Sequence, residues 1–244
     1  LGRRHRWTER IDKHQGTSNM SLKEKYTVVV IDDHPLFRRG VRELLDMEPS
    51  IEVVGEAGNR DQAIEMVRQF EPDLTVLDLN IKGSSGLEIL TILKDEDPSR
   101  RIVILTVSDS GKDLTACIQA GADGYFLKDS DPEQFLSNIR QTLEGRLMVD
   151  PSMMVYLTAS LRNKASVRDE TPQLTGRESD VLALIAEGQT NKEIARVLNI
   201  SDGTVKGHVK HLLNKLGFKS RVEAAVWATQ NGFKRSEQFG TSKD

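Results

Sequence analysis

The 244-residue chain has a single cysteine, Cys117, so it can build neither a disulfide framework nor a cysteine-based zinc site. No apolar run approaches the roughly 18 residues of a membrane span. Residues 1–19 carry charges where a signal peptide needs an apolar stretch. These absences lead us to expect a soluble, cytoplasmic protein. A large charge of one sign is missing too: the net charge is -3, which taken alone argues against a nucleic-acid partner.

Divided along the chain, the charge reads differently. Residues 25–150 carry 14 Lys and Arg against 24 Asp and Glu, whereas residues 173–244 carry 11 against 8. An acidic middle joined to a mildly basic end calls for an explanation. Parts of opposite tendency should also attract each other, and that attraction would occlude the lysines of the basic part.

Within the acidic part, short β-branched or apolar runs at residues 27–31, 51–54, 74–77, 102–107 and 125–127 alternate with amphipathic stretches. Phe37, Val41, Leu44 and Leu45, and later Ala63, Ile64, Val67 and Phe70, recur at helical spacing. Helix starts are signalled at Asn59 with Gln62, and at Asp131 followed by Pro132 and Gln134. Five strand–helix units with right-handed crossovers predict a doubly wound, flavodoxin-like α/β domain, with function at the carboxyl ends of its strands. Cys117, between Leu114 and Ile118, fits a buried apolar filler better than a redox group.

After Asp150-Pro151 the strand signal stops. A short helix is expected within residues 152–161 and a polar tether within 163–172. Thr175 with Glu178, Thr190 with Glu193 and Ser220 with Glu223 then mark three helix starts, a fourth lies near Ser201, and Gly188 and Gly217 sit where helices should end. The pair joined at Asn199-Ile200-Ser201 has helix-turn-helix spacing. The predicted organisation is an extension (1–24), an α/β domain (25–149), a linker with a short helix (150–172), a smaller all-α domain (173–234) and a tail (235–244). Met20-Ser21 reads as an ordinary start, so residues 1–19 are expected to be an upstream, disordered extension.

Five polar residues fall at the ends of four predicted strands: Asp32, Asp33, Asp78, Thr106 and Lys128. Three converging carboxylates repel one another, and Mg²⁺ relieves that repulsion while keeping waters and phosphate oxygens as ligands. Asp78 has the position of a nucleophile toward phosphorus, with Lys128 and Thr106 placed to hold the phosphoryl oxygens. A phosphatase of the haloacid-dehalogenase kind needs a second aspartate two residues on as its acid, and Asn80 stands there instead. A constitutive DNA-binding protein with a scaffold domain is the other reading; phosphate-independent binding would favour it.

These residues resemble the receiver domains of bacterial two-component response regulators through Ile31-Asp32-Asp33, Leu77-Asp78-Leu79-Asn80, Gly86, Thr106 and the run from Gly121 to Lys128. The resemblance implies that Asp78 is the phosphoacceptor, serving a sensor histidine kinase. It implies that Asp32, Asp33, Asp78 and the Asn80 carbonyl hold Mg²⁺, that Lys128 binds the phosphoryl group, and that Thr106 and Tyr125 form a switch. Catalysis would be limited to the domain's own phosphorylation and dephosphorylation. Lys82 departs from the proline usual in the family, either loosening the loop after Asp78 or adding a cation near the phosphate.

On a helical wheel starting at Val205, Val209, Leu212, Leu213 and Leu216 share the core-facing side, with Lys206 and Lys210 together beside them and Gly203, Gly207 and Asn214 completing a polar face. Such a helix fits a major groove. The segment also resembles LuxR-type helix-turn-helix domains through Leu174-Thr175-Gly176-Arg177-Glu178, Asn191-Lys192-Glu193-Ile194-Ala195, Thr204-Val205-Lys206, His208-Val209-Lys210 and the run from Lys219 to Ala225. Residues 25–230 together are similar to NarL/FixJ-type regulators, especially the nitrate/nitrite-responsive ones. That similarity implies double-stranded DNA contacts from Thr204, Lys206, Gly207, His208 and Lys210. Gly207 stands where the nitrate/nitrite regulator has valine, which removes an apolar contact to a thymine methyl. His208 and His211, one turn apart without a third ligand, fit phosphate or packing roles better than a metal. The last helix exposes Val222, Ala225 and Val226, a homodimer contact by resemblance or a packing face by pattern alone.

Overall fold

The computed structural model describes residues 25–153, 156 and 174–233. The expected N-terminal extension, most of the linker helix and tether, and the C-terminal tail lie outside the described residues.

The first part is a parallel sheet flanked by helices. Strands β1 (Tyr26–Ile31), β2 (Ile51–Ala57), β3 (Leu74–Leu77), β6 (Ile102–Thr106), β7 (Gly124–Leu127) and β8 (Met148–Val149) form one sheet in the order β2-β1-β3-β6-β7-β8. The five longer strands are the five read from sequence. The sixth, a two-residue parallel edge beside β7, is too short to carry a periodic signal. A two-stranded antiparallel hairpin, β4 (Asn80–Ile81) with β5 (Ser84–Ser85), escaped the sequence for the same reason.

Strand alternation sorts the side chains onto two faces. Val29, Ile31, Ile102 and Ile104 enter one core with α2 (Arg60–Phe70), α3 (Gly86–Glu96) and α4 (Gly111–Gln119). Val28, Val30, Val103 and Leu105 enter the other with α1 (Pro35–Asp46) and α5 (Pro132–Leu143). Cys117 is buried in the first core, where burial pushes its thiol up to about 12, as suits an inert filler. The caps are those expected: Asn59 accepts the Gln62 amide at 3.0 Å, and Asp131 accepts the Glu133 and Gln134 amides at 2.9 and 3.2 Å.

The second part is α6 (Gly176–Ala186), α7 (Asn191–Leu198), α8 (Asp202–Leu216) and α9 (Arg221–Gln230) around a third core that includes Val205, Val209, Leu212, Leu213 and Leu216. Thr175 with Glu178 and Thr190 with Glu193 make reciprocal capping boxes. At the third start Ser220 caps Glu223, whose carboxylate takes the Lys219 amide. Asn199 closes α7 in the left-handed conformation (φ 52°), which asparagine tolerates, and Ser201 opens α8, making the tight helix-turn-helix corner. Between the two parts a 3-10 turn, Pro151–Met153, plants Met153 in the first core of the α/β part.

The α/β part is pinned by a buried ion pair. Lys94 Nζ lies 2.8 Å from Asp123 Oδ2, which also accepts the Ile102 amide at 2.9 Å. Lys94→Met would strand the Asp123 charge and should cost about 3–5 kcal/mol in urea denaturation. Adding Asp123→Leu should recover only part of that loss, because the Ile102 amide would then lack its partner.

Candidate functional site

Each strand of the crevice ends by handing a polar residue to the same place. Asp32 follows β1 and Asp78 follows β3, their amides donating to Ala57 O at 3.0 Å and Ile31 O at 2.8 Å, and both side chains are buried. Lys128 follows β7, its amide held by Thr106 O at 2.8 Å. Its Nζ lies 2.8 Å from Asp32 Oδ2 and 2.7 Å from Asp78 Oδ2, and 4.5 Å from the centre of the Phe37 ring. Asp78 Oδ1 accepts the Asn80 amide at 3.2 Å.

Gly86 makes this geometry possible. A Cβ at that position would lie 2.1 Å from the Asp78 carbonyl oxygen and 2.7 Å from Leu79 Cα, so the chain after Asp78 can pass only over a glycine.

Burial raises the Asp78 carboxyl most; the Lys128 ammonium and the Asn80 amide pull it down, Asp32 adds to the rise, and the net is a rise from its ordinary value. Burial disfavours the Lys128 ammonium, but Asp32 and Asp78 outweigh that and hold it above its usual value.

Asp33 is turned differently. Its Oδ2 accepts the Lys82 amide at 3.1 Å, a bond that proline at position 82 would abolish, so the loop is tied at this point. Its Oδ1 is buried, with the His34 ring nitrogen 2.9 Å away. A buried carboxylate oxygen beside two further buried carboxylates, with potential ligand atoms of all three within 4.8 Å of one another, fits a hard divalent cation.

Thr106 and Tyr125 are both fully buried. They are joined through a residue that the sequence did not single out: Ser108 donates its amide to Thr106 Oγ1 at 3.1 Å, and its carbonyl accepts the Tyr125 hydroxyl at 2.9 Å. Burial raises that hydroxyl to about 12, so it remains a donor at neutral pH. Ser108 acts through its backbone, which no residue pattern reports.

On α8, Thr204 is exposed and bonded to Ser201, while Gly207 borders open space, where a larger side chain would meet nothing. Lys206 Nζ lies 2.7 Å from Asp73 Oδ1, and Lys210 Nζ lies 3.2 Å from Asp97 Oδ2. Each acceptor is itself fixed, Asp73 by the Thr27 amide at 3.0 Å and Asp97 by the Ser99 hydroxyl at 2.7 Å. Burial alone would raise both carboxyls; the lysines with these local donors outweigh it and hold them below the usual range. Lys219 pairs with Asp95, and Lys192 Nζ sits 4.1 Å from the centre of the Tyr26 ring. The basic helical part thus docks its polar helix face on acidic loops of the α/β part. His208 is half-buried and His211 exposed, and among the described residues neither joins a group of three or more potential metal ligands. On α9, Val222 and Ala225 are half-buried and Val226 is 39% exposed.

A doubly wound domain with this crevice, joined to a helix-turn-helix bundle, defines a phosphorylation-type regulator of transcription. Comparison agrees: residues 28–140 match the response regulator receiver domain family, and residues 172–228 match the bacterial regulatory proteins of the luxR family. The chain is 48% identical over 212 residues, 86% of its length and 98% of the relative's, to the nitrate/nitrite response regulator protein NarL of Escherichia coli strain K12. It is 38% identical to the DNA-binding transcriptional activator DevR/DosR of Mycobacterium tuberculosis, covering 87% of this chain and 97% of that one. Among solved structures it resembles a LuxR-family two-component response regulator from Aurantimonas sp. SI85-9A1 (TM-score 0.54, 30% identity, 57% of this chain and 99% of that one). It also resembles the response regulator RcsB in complex with DNA (TM-score 0.52, 25% identity, 84% and 98%). The chain belongs to the two-component response regulators with a LuxR-type DNA-binding domain. Among its described residues, no helix is long and apolar enough to cross a membrane.

The crevice predicts opposite effects of two substitutions. Lys128→Met leaves Asp32 and Asp78 buried without their cation and should cost about 3 kcal/mol in urea denaturation, a loss that added Mg²⁺ partly restores. Asp78→Asn removes a carboxylate whose folded value is raised, so it should raise the urea midpoint at pH 7. Because a raised carboxyl weakens the fold only while ionised, that gain should shrink as pH falls through its folded value and be gone below the ordinary carboxylate range.

Proposed function

We propose that this protein is a cytoplasmic regulator that receives a phosphoryl group on Asp78 from a sensor histidine kinase and then binds DNA as a homodimer, in nitrate- or nitrite-responsive control. The nitrate assignment is supported by the similarity to NarL and to the nitrate/nitrite response regulator protein NarP, 47% identical over 201 residues.

In the transfer, an Asp78 carboxylate oxygen forms the new bond to phosphorus while the bond from phosphorus to the donor histidine nitrogen breaks, and the imidazole leaves. Asp32, Asp33, Asp78 and the Asn80 carbonyl are the groups that would hold Mg²⁺, which when bound supplies positive charge to the phosphoryl oxygens. Lys128, already 2.7 Å from Asp78, exchanges a carboxylate partner for a phosphoryl oxygen. Thr106 turns its hydroxyl to another phosphoryl oxygen and gives up the Ser108 amide, and through Ser108 this change reaches the Tyr125 hydroxyl. The same crevice would let water remove the phosphoryl group, the only turnover the domain would catalyse.

The observation that carries the reading is the pairing of Lys206 and Lys210 with Asp73 and Asp97. The two lysines of the helix face suited to a major groove are occupied by carboxylates where DNA would offer phosphates and base edges. Release frees that face, Thr204, Gly207 and His208 with it, and α9 then supplies Val222, Ala225 and Val226 to a second copy.

Gel shift on DNA selected from a random pool tests this. Acetyl phosphate with Mg²⁺ should raise the affinity of the wild-type protein and leave Asp78→Asn unchanged; an equal gain in Asp78→Asn refutes the reading. Asp73→Asn with Asp97→Asn should raise unphosphorylated affinity roughly 3- to 30-fold, the worth of two partly exposed ion pairs.

A further inference from the structure

His34 occupies the N-cap of α1, where Ser, Thr, Asp or Asn would normally accept a helix amide, yet its side chain makes no capping bond. Its ring turns into the crevice instead. Nδ1 lies 3.1 Å from Asp32 Oδ1 and 2.9 Å from Asp33 Oδ1, and the His34 amide donates to Asp32 Oδ1 at 2.7 Å. Ligand atoms of Asp32, Asp33, His34 and Asp78 all lie within 4.8 Å of one another. Around an octahedral cation with bonds of about 2.1 Å, neighbouring ligands stand roughly 3 Å apart and opposite ones roughly 4.2 Å. The His34 nitrogen is therefore already at the separation from Asp33 Oδ1 that two ligands of one ion would keep.

Two features leave it free to serve. The His34 side chain is 65% exposed, so it can adjust without disturbing a core. Asp33 has its Oδ2 fixed by the Lys82 amide, while its Oδ1 is met by the His34 ring nitrogen itself, a contact in which a bound cation would take the place of the imidazole proton.

We propose that His34 is a specificity-determining residue of the crevice, contributing an imidazole nitrogen to the cation and thereby favouring first-row transition cations such as Mn²⁺ over Mg²⁺. Carboxylate and water oxygens alone suit Mg²⁺; an imidazole raises affinity for ions that accept nitrogen and adds little for magnesium. The proposal rests on the reading of the three aspartates as a cation site.

The test is pulsed electron paramagnetic resonance on the full-length protein loaded with Mn²⁺, together with competition between Mn²⁺ and Mg²⁺. The wild type should show the nitrogen-14 modulation of a directly bound imidazole. His34→Asn, which supplies a good helix-capping residue and offers oxygen in place of nitrogen, should lose that modulation. Its preference for Mn²⁺ over Mg²⁺ should fall about tenfold with Mg²⁺ binding nearly unchanged. Wild-type Mn²⁺ binding without nitrogen modulation, or an unchanged preference in His34→Asn, overturns the role of His34 and leaves the cation site standing. Failure of the wild type to bind Mn²⁺ at all overturns both.

Discussion

Everything in the crevice depends on one cation, the Lys128 ammonium between Asp32 and Asp78. Two buried carboxylates at the ends of adjacent strands would otherwise repel in a medium that screens them poorly. Burial pushes the Asp78 carboxyl up, and Lys128 between the two carboxylates pulls it back part of the way. The arrangement is a compromise. The charge that Asp78 would need as a nucleophile costs folding stability, and Lys128 offsets that cost without removing it. A phosphoryl group entering here would therefore meet a cation already in place.

The docking of the two parts uses the same interaction more weakly. Lys206 and Lys210 are each roughly 45% exposed at the side chain, and their partners Asp73 and Asp97 about 20%. Pairs of this kind are worth little individually and are screened by salt. What they have is placement: both acceptors are held rigid by receiver hydrogen bonds, so two flexible lysines meet fixed carboxylates and only the lysines lose freedom.

The sequence was most legible where a physical pattern repeats. The long strands, the two cores they divide and the helix starts follow from alternation, helical spacing and capping chemistry, as at Asn59, Thr175 and Thr190. The crevice was legible because parallel strands bring successive strand ends together, which makes Asp32, Asp78 and Lys128 neighbours across 46 and 50 positions of chain. The rest depends on contacts that leave no local mark. The charge asymmetry foretold attraction between the parts, but the partner of Lys206 is 133 residues away, in a loop with no pattern of its own. Ser108 works through its amide and carbonyl. His34 stands where a cap belongs, and only the direction of its ring gives it a different task. Strands β4, β5 and β8, of two residues each, are too short for any periodicity.

Weak docking beside a strongly held crevice suits a switch. To invert a two-state population from 1:99 to 99:1 takes about 5.5 kcal/mol of differential interaction. A docked state held by several exposed pairs and by the packing of Lys219 and Arg221 over two glycines, Gly121 and Gly145, asks for less than a broad apolar interface would. The differential has a physical path from the crevice: Thr106 and Tyr125 share Ser108, and the Tyr125 carbonyl accepts the amide of Asp150 at 3.0 Å, where the chain leaves β8 toward the helical part. Met153, three residues on, is buried in the same core as Tyr125. A shift of Tyr125 therefore acts on the first residues of the linker through a backbone bond and a shared core, and to come free the helical part gives up its lysine pairs together with the close packing of Lys219 and Arg221 over Gly121 and Gly145.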